Sequence, residues 1–400
     1  MQLTDKICKL KGKVQHYAWG GYHFIPELLK INNSEQKPFA EYWLGSHPST
    51  PSILTDKNIS LVDAITQQPE NILGKKVYEQ FKGLPYLFKV LDVKDMLSIQ
   101  VHPTKEEAIK GFEREEAEGI PINAPNRNYK DKNHKPEMMI ALGEFWLLHG
   151  FQKEKAIEKV LENYTEFNLL IPIFKNEGYK GLYQTVMKMP QEQVDTILIP
   201  LVEKAINHQK QNLITKNSPE WWVAKWYNNA PVLKNIDRGI FSIYLFNLIQ
   251  LQKGEAIFQG AGVPHAYLEG QNIELMANSD NVLRGGLTPK HIDIQELMKH
   301  TKFEAIEPAI LKPLKIDNEK KYPCSVNDFA VSAIELSSGK VYHSITTSLE
   351  ILLVIEGAVS INELENYIIQ KGESFAVIAN TAYSFTSTEN TLLFKAFVPV

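Results

Sequence analysis

The sequence predicts a mainly β protein interrupted by one helical insertion, and three observations predict it. Apolar residues recur at every second position in residues 97–101, residues 247–252 mix apolar and polar positions in a strand-like alternation, and residues 349–354 and 391–397 are strand-like runs; a period of two is that of a strand with one buried face. From about residue 153 to 229 the period lengthens to that of a helix, with Val194, Ile197, Leu198, Leu201, Val202 and Ala205 at helical spacing. Finally, residues 371–383 align without gaps on the stretch that begins at Lys253, with Lys-Gly-Glu identical in both copies. Two copies of one β unit suggest two related β-barrels. His265 in the first copy is matched by Tyr383 in the second, so only the first would retain a site.

The bulk numbers narrow the function classes. The chain has 400 residues, enough for two or three modules, with 44% hydrophobic and 22% charged residues. Its 43 basic and 47 acidic residues leave a net charge of −4, no footprint for nucleic acid or an anionic membrane. Cys8 and Cys324 lie too far apart in sequence for a metal or redox spacing. Residues 1–6 lack the apolar core of a signal peptide, and no apolar run approaches the length of a membrane span. These features point to a cytoplasmic protein; it is expected to be a monomer or small homo-oligomer with a small-molecule partner.

Taken in order, residues 38–45 read as a short strand, and residues 60–81 as helical, with Ser60 as cap and Pro69 as an interruption. Residues 84–91 form an apolar strand broken only by Lys89, which needs either an anion or an edge to which it can snorkel. Next comes Leu97-Ser98-Ile99-Gln100-Val101-His102-Pro103. On a strand, Ser98, Gln100 and His102 share one face and Leu97, Ile99 and Val101 the other. Thr104-Lys105-Glu106-Glu107 is a capping box that turns the chain into a helix just past His102. After a polar loop, His134, Lys135 and Glu137 open the apolar run 138–142. In the helical insertion Ser218 caps a helix carrying Trp221, Trp222 and Trp226, whose spacing marks core packing rather than a ligand box.

A metal site needs three or four donors converging from different strands. His102, His265 and Glu137 are the natural set, with Gln100 as a neutral oxygen donor beside His102. Two imidazoles and a carboxylate suit zinc and leave room for water or substrate.

Gly254 and the run Gly260-Ala261-Gly262-Val263-Pro264-His265 resemble the second motif of the cupin superfamily, in which a tight turn aims a histidine into a barrel mouth. More of the chain resembles the type I mannose-6-phosphate isomerase family. The matching stretches are Tyr17-Ala18-Trp19-Gly20, Gly45-Ser46-His47-Pro48-Ser49, the run from Leu97 to Pro103, Asp131-Lys132-Asn133-His134-Lys135-Pro136-Glu137-Met138, Pro264-His265-Ala266-Tyr267, and the run from Ser279 to Lys290.

The resemblance implies two cupin-like jelly-roll β-barrels plus an α-helical domain. Residues 1–152 and 231–305 would form the catalytic barrel, 153–230 the helical insertion and 306–400 a degenerate second barrel. It implies one zinc ion held by Gln100, His102, Glu137 and His265, and Arg284 as an active-site residue, with Lys135, Glu274 and Asp280 in or near the pocket. Thr104 and Gln152 depart from the family pattern, where an acid and an arginine are common. The implied reaction interconverts mannose 6-phosphate and fructose 6-phosphate through a cis-enediol. Glu274 leads as the proton-transfer base, with His134 and Asp280 as competitors, while Lys135 would polarise an oxygen or assist ring opening. Arg284, Lys290, Ser98 and Lys89 would bind the phosphate. The competing expectation is a cupin-type sugar-binding or regulatory protein that has lost catalysis.

Overall fold

The computed structural model describes residues 5–228 and 232–400. Residues 1–4, part of the stretch in which no leader is expected, and 229–231, around the expected end of the helical insertion, lie outside the described residues. Strand makes up 30% and helix 29% of the chain, so it is strand-rich but less dominated by β-structure than expected. The strands form sheets of nine, ten and four strands. Among the described residues none closes into a barrel.

The elements that position the site are, in chain order, β1 (Ile7–Lys11), β2 (Glu41–Gly45), β3 (Tyr86–Val93), β4 (Gln100–Val101), α1 (Lys105–Ala117), β5 (Glu137–Ala141), β6 (Phe145–Phe151), α2 (Pro219–Tyr227), β7 (Phe246–Leu251), β8 (Ala256–Gln259), β9 (His265–Ala277) and β10 (Leu283–Arg284). The ten-stranded sheet is organised by β9. Its first part pairs with β4 and β6, its second with β3 and β5, all antiparallel. A register shift after Tyr267 and Gly270 at φ +130° separate the two halves.

Strand parity then sorts the side chains into three layers. Ala266 and Leu268 of β9 join a core with the helical segment, where Trp222 of α2 is fully buried. Ile273 and Leu275 join Phe88, Met138 and Ile140 in a second core, shared with Ile351, Leu353 and Phe394 of the C-terminal strands. The third side faces inward. There Leu91, Met139, Leu147, Ile257 and Tyr267 pack together, and the inward positions towards one end are polar. Burial of large apolar side chains at roughly 1.5–3 kcal/mol each carries such an arrangement, and leaves room for a few costly polar groups inside it.

Local expectations meet the structure in several places. Ser60 caps its helix by accepting from the Asp63 amide at 3.0 Å. Thr104 caps α1 through the Glu107 amide, but the Glu107 carboxylate turns away to Lys299, so only half of the expected capping box forms. The strand expected over residues 97–103 shrinks to β4, because the flanking amides bond irregularly: Leu97 to the Tyr267 carbonyl and Ile99 to the Gly286 carbonyl. Past the run that ends at Lys290, a helix begins at Ile294, capped by Asp293.

The first strand lies apart from the ten-stranded sheet. β1 pairs with the strand Ser374–Val377 and lies in the nine-stranded sheet with the C-terminal strands. The repeat at Lys253 and Lys371 is visible as local structure. Gly254 and Gly372 both have φ +84°, and in both turns the next glutamate accepts from the backbone amide of Gln252 or Gln370, at 2.9 and 2.8 Å. In the second copy the Tyr383 hydroxyl donates to Glu350 at 2.6 Å, while Lys395 bonds Glu319 at 2.7 Å and the Tyr342 hydroxyl at 2.9 Å. A buried polar network stands where the first copy carries its histidine.

Candidate metal centre and active site

The inward face brings three buried ligand-type side chains together from separate strands. His102 follows β4, Glu137 opens β5 and His265 opens β9, and their ligand atoms all lie within 4.8 Å of one another. His102 Nε2 is 3.4 Å and His265 Nε2 3.3 Å from the two Glu137 carboxylate oxygens. Each imidazole donates its Nδ1–H to a backbone carbonyl, His102 to Asn281 and His265 to Val263, both at 2.9 Å. That fixes the tautomer and leaves both Nε2 lone pairs facing Glu137. Gln100 is the cross-strand neighbour of His265 and lines the same cavity.

The electrostatics suit a cation. Burial pushes the His102 pKa down to about 4, against the pull of Glu137, so the ring is neutral at physiological pH. Burial alone would raise the Glu137 carboxyl, but Lys135 at 3.2 Å and the imidazoles hold it well below the usual carboxylate range. His102 Nε2 is buried and has no protein hydrogen-bond partner. A buried acceptor of this kind, beside a carboxylate and a second free imidazole nitrogen, fits a divalent metal.

Around this set lies a narrow cavity of about 50 Å³. Its lining includes Lys89, Ser98, Gln100, Lys135, Glu137, His265 and Glu274, and also Glu41 and Tyr267. Lys89 is not free to meet a phosphate. Its ammonium lies 3.1 Å from Glu274 and 3.6 Å from Glu41, above the ring of Trp43. Trp43 donates its indole N–H to Glu41, and the Tyr267 hydroxyl donates to Glu274 at 2.8 Å. Burial would lower the Lys89 pKa, but Glu41, Glu274 and Glu137 raise it, so Lys89 stays charged. Glu274 is raised by burial and by the neighbouring Glu137 and Glu41, which together outweigh Lys89.

Lys89→Met should therefore leave two buried carboxylates sharing no cation. We expect a loss of about 3–5 kcal/mol in unfolding free energy, read from urea denaturation of the metal-free protein. Adding Glu41→Gln to the same chain should recover part of it.

Other expected residues are elsewhere. His134 does not reach the cavity: with Lys135 and Glu137 inward, parity turns His134 outward, where its Nε2 meets Asp328 at 3.0 Å. Asp280 is half exposed and lies 3.4 Å from His47. Arg284 is the cross-strand partner of Gln100 on β10. Burial alone lowers its pKa, and no carboxylate perturbs it. Lys290 is exposed, its pKa lowered by burial and by the charges of Arg284 and Lys130. Glu41, Tyr267 and Lys130 are the residues that sequence reasoning missed. Glu41 had a signal, a lone charge in the apolar run 39–44, the same signal that singled out Lys89.

Comparison with known proteins gives one consistent answer. A family model for the catalytic domain of type I phosphomannose isomerase matches residues 7–154. The mannose-6-phosphate isomerase of Salmonella typhimurium is 39% identical over 382 residues, covering 92% of this chain and 93% of that protein. The human mannose-6-phosphate isomerase is 33% identical and covers 98% and 99%. The crystal structure of the Salmonella typhimurium enzyme bound to substrate (fructose 6-phosphate) and zinc superposes with a TM-score of 0.88 at 35% identity, over 99% of this chain and 100% of that one.

Proposed function

We infer the function from the premise that this chain belongs to the type I mannose-6-phosphate isomerase family. It is a zinc-dependent aldose–ketose isomerase that interconverts mannose 6-phosphate and fructose 6-phosphate through a cis-enediol. The observation that carries this is the convergence of His102, Glu137 and His265, beside Lys135 and Glu274, in one buried cavity.

His102, Glu137 and His265 would hold the zinc, with Gln100 as the fourth donor. When bound, zinc supplies Lewis-acid stabilisation for negative charge on the C1 and C2 oxygens of the open-chain sugar. Glu274 takes the proton from C2 and returns it at C1. Its raised pKa suits a group that must both accept and release a proton. Tyr267 and Lys89 hold its two oxygens in place. Lys135 donates to a sugar oxygen and offsets charge there. Arg284 and Lys290, with Lys130, form a cationic group that suits the phosphate, and Ser98 contributes a hydroxyl from the cavity wall. Asp280 stays near the rim through His47, and His134 is reassigned to a structural contact with Asp328.

We read the two β units as jelly rolls, a form in which two sheets face each other without a closed ladder. The three-layer parity of β9 and the shared turn geometry at Gly254 and Gly372 support it. The catalytic unit then comprises residues up to 152 and 231–305, less the strand β1, with 153–230 inserted and 306–400 as the second unit. The net charge of −4 supports a small phosphosugar as partner rather than nucleic acid or membrane. No helix among the described residues is long and apolar enough to cross a membrane. Free Cys8 and Cys324 suit the cytoplasm, with the chain acting as a monomer or small homo-oligomer.

A coupled assay following fructose 6-phosphate formed from mannose 6-phosphate tests the function. Turnover that depends on zinc is expected; none with zinc present would sink the isomerase.

A further inference from the structure

Two polar side chains sit inside the first β unit with no role in the reaction above. His149 is 5% exposed and Gln259 is fully buried. Both amide atoms of Gln259 lack a protein hydrogen-bond partner, and the His149 ring has none of good geometry, only the Phe258 carbonyl and its own close by. Their places in the sheets are specific. His149 on β6 is the cross-strand partner of His265, and Gln259 on β8 is the cross-strand partner of Glu137. Paired residues on antiparallel strands project from the same face. So each of two metal-ligand candidates has an unpartnered polar neighbour on its inward side. The surrounding inward residues, among them Leu147, Leu251 and Ile257, are apolar and offer no hydrogen bonds. Buried polar groups are seldom left unpaired, and water is the partner that fits a closed space lined by polar atoms.

We propose that His149 and Gln259 are positioning residues of the metal centre, which together hold buried water against the Glu137 carboxylate, beside the His265 ring, and so fix the orientation of Glu137. The inference rests on the metal-centre reading above. It assigns to water the orienting hydrogen bonds that metal ligands commonly receive from groups behind them. His265 spends its Nδ1–H on the Val263 carbonyl, so the support given by water falls mainly on the Glu137 carboxylate and on the space that the two rings share.

The test uses the full chain, stripped of metal and titrated with zinc against a chromophoric chelator. Gln259→Leu and His149→Leu remove the polar atoms at similar volume, and His149→Gln keeps a donor and an acceptor. Each leucine variant should bind zinc roughly 10–100-fold more weakly than the parent, while His149→Gln retains most of the affinity. The melting temperature of the metal-free leucine variants should hold or rise, because unpaired polar groups have been removed. Turnover should return with excess zinc. If both leucine variants bind zinc within twofold of the parent, the inference is overturned. If His149→Leu fails to fold, Gln259→Leu decides alone. A zinc-loaded crystal structure without water between His149, Gln259 and the ligands also overturns it. A parent that binds no zinc would instead bring down the metal-centre reading itself.

Discussion

His265→Ala should lose zinc and turnover together. His265 supplies one of three ligand atoms that converge within 4.8 Å, and its Nε2 lies 3.3 Å from Glu137. Without it, His102 and Glu137 remain with Gln100, too few strong donors to hold zinc at ordinary concentrations. Lewis-acid stabilisation is worth several kcal/mol, so its loss should lower kcat by roughly a thousandfold or more. Metal content of the purified variant and the coupled assay read the two losses. The fold should survive, because the His265 ring is a donor to a loop carbonyl rather than part of an apolar core. Full zinc occupancy with activity within tenfold of the parent would show that the metal lies elsewhere. Acid should weaken zinc binding, because a protonated imidazole cannot ligate; in the metal-free chain burial pushes the His102 pKa down to about 4, so this ring stays available well below neutral pH. The sign follows from a depressed pKa. His102 is neutral in the folded chain while its unfolded counterpart, near 6.5, is already charged, so stability of the metal-free form also falls as pH drops through that window.

Much of this centre is legible in the sequence because parity is a local property. Ser98 and Gln100 line the cavity and His102 is buried behind them, while Ile99 and Val101 join a core, as the alternation predicts; Leu97, expected on the core face, lines the cavity instead. The same rule rejects His134: two residues of even spacing, Lys135 and Glu137, already point inward, and the histidine between the loop and Lys135 must point out. What parity does not carry is pairing between distant strands. Lys89 reads as a cation in search of an anion, and a phosphate is a fair expectation. Its partners are Glu274, opposite it on β9, and Glu41 on β2. Those registers follow from how β9 inserts between two neighbours, and nothing near residue 89 encodes them. The exchange of β1 into the C-terminal sheet is hidden for the same reason. A short apolar strand carries no mark of which sheet it joins.

Arg284→Ala should keep zinc and lose most of kcat/KM, which separates it from the ligand variants. Arg284 faces Gln100 across β10 and β4, beside the ligand set but not within it. No carboxylate neutralises it; burial alone perturbs its pKa, and Lys290 and Lys130 add like charge nearby. An unpaired guanidinium in a half-buried place is costly unless an anion arrives. The substrate brings one as its phosphate and develops a second as the enediol forms. Removing a preorganised donor of this kind typically costs a factor of about 10²–10³ in rate. The division of that loss identifies the anion. If Arg284 holds the phosphate, KM rises and inhibition by inorganic phosphate weakens, because ground state and transition state lose the contact equally. If it meets the enediolate, kcat falls and phosphate inhibition is unchanged. Arg284→Lys restores the charge without the planar fork, so it should recover only part of the rate in either case. Zinc content equal to the parent, with kcat/KM also within threefold, would remove Arg284 from the active site. Zinc loss in Arg284→Ala would instead mean that β10 supports Gln100, and that the residue acts through the metal centre.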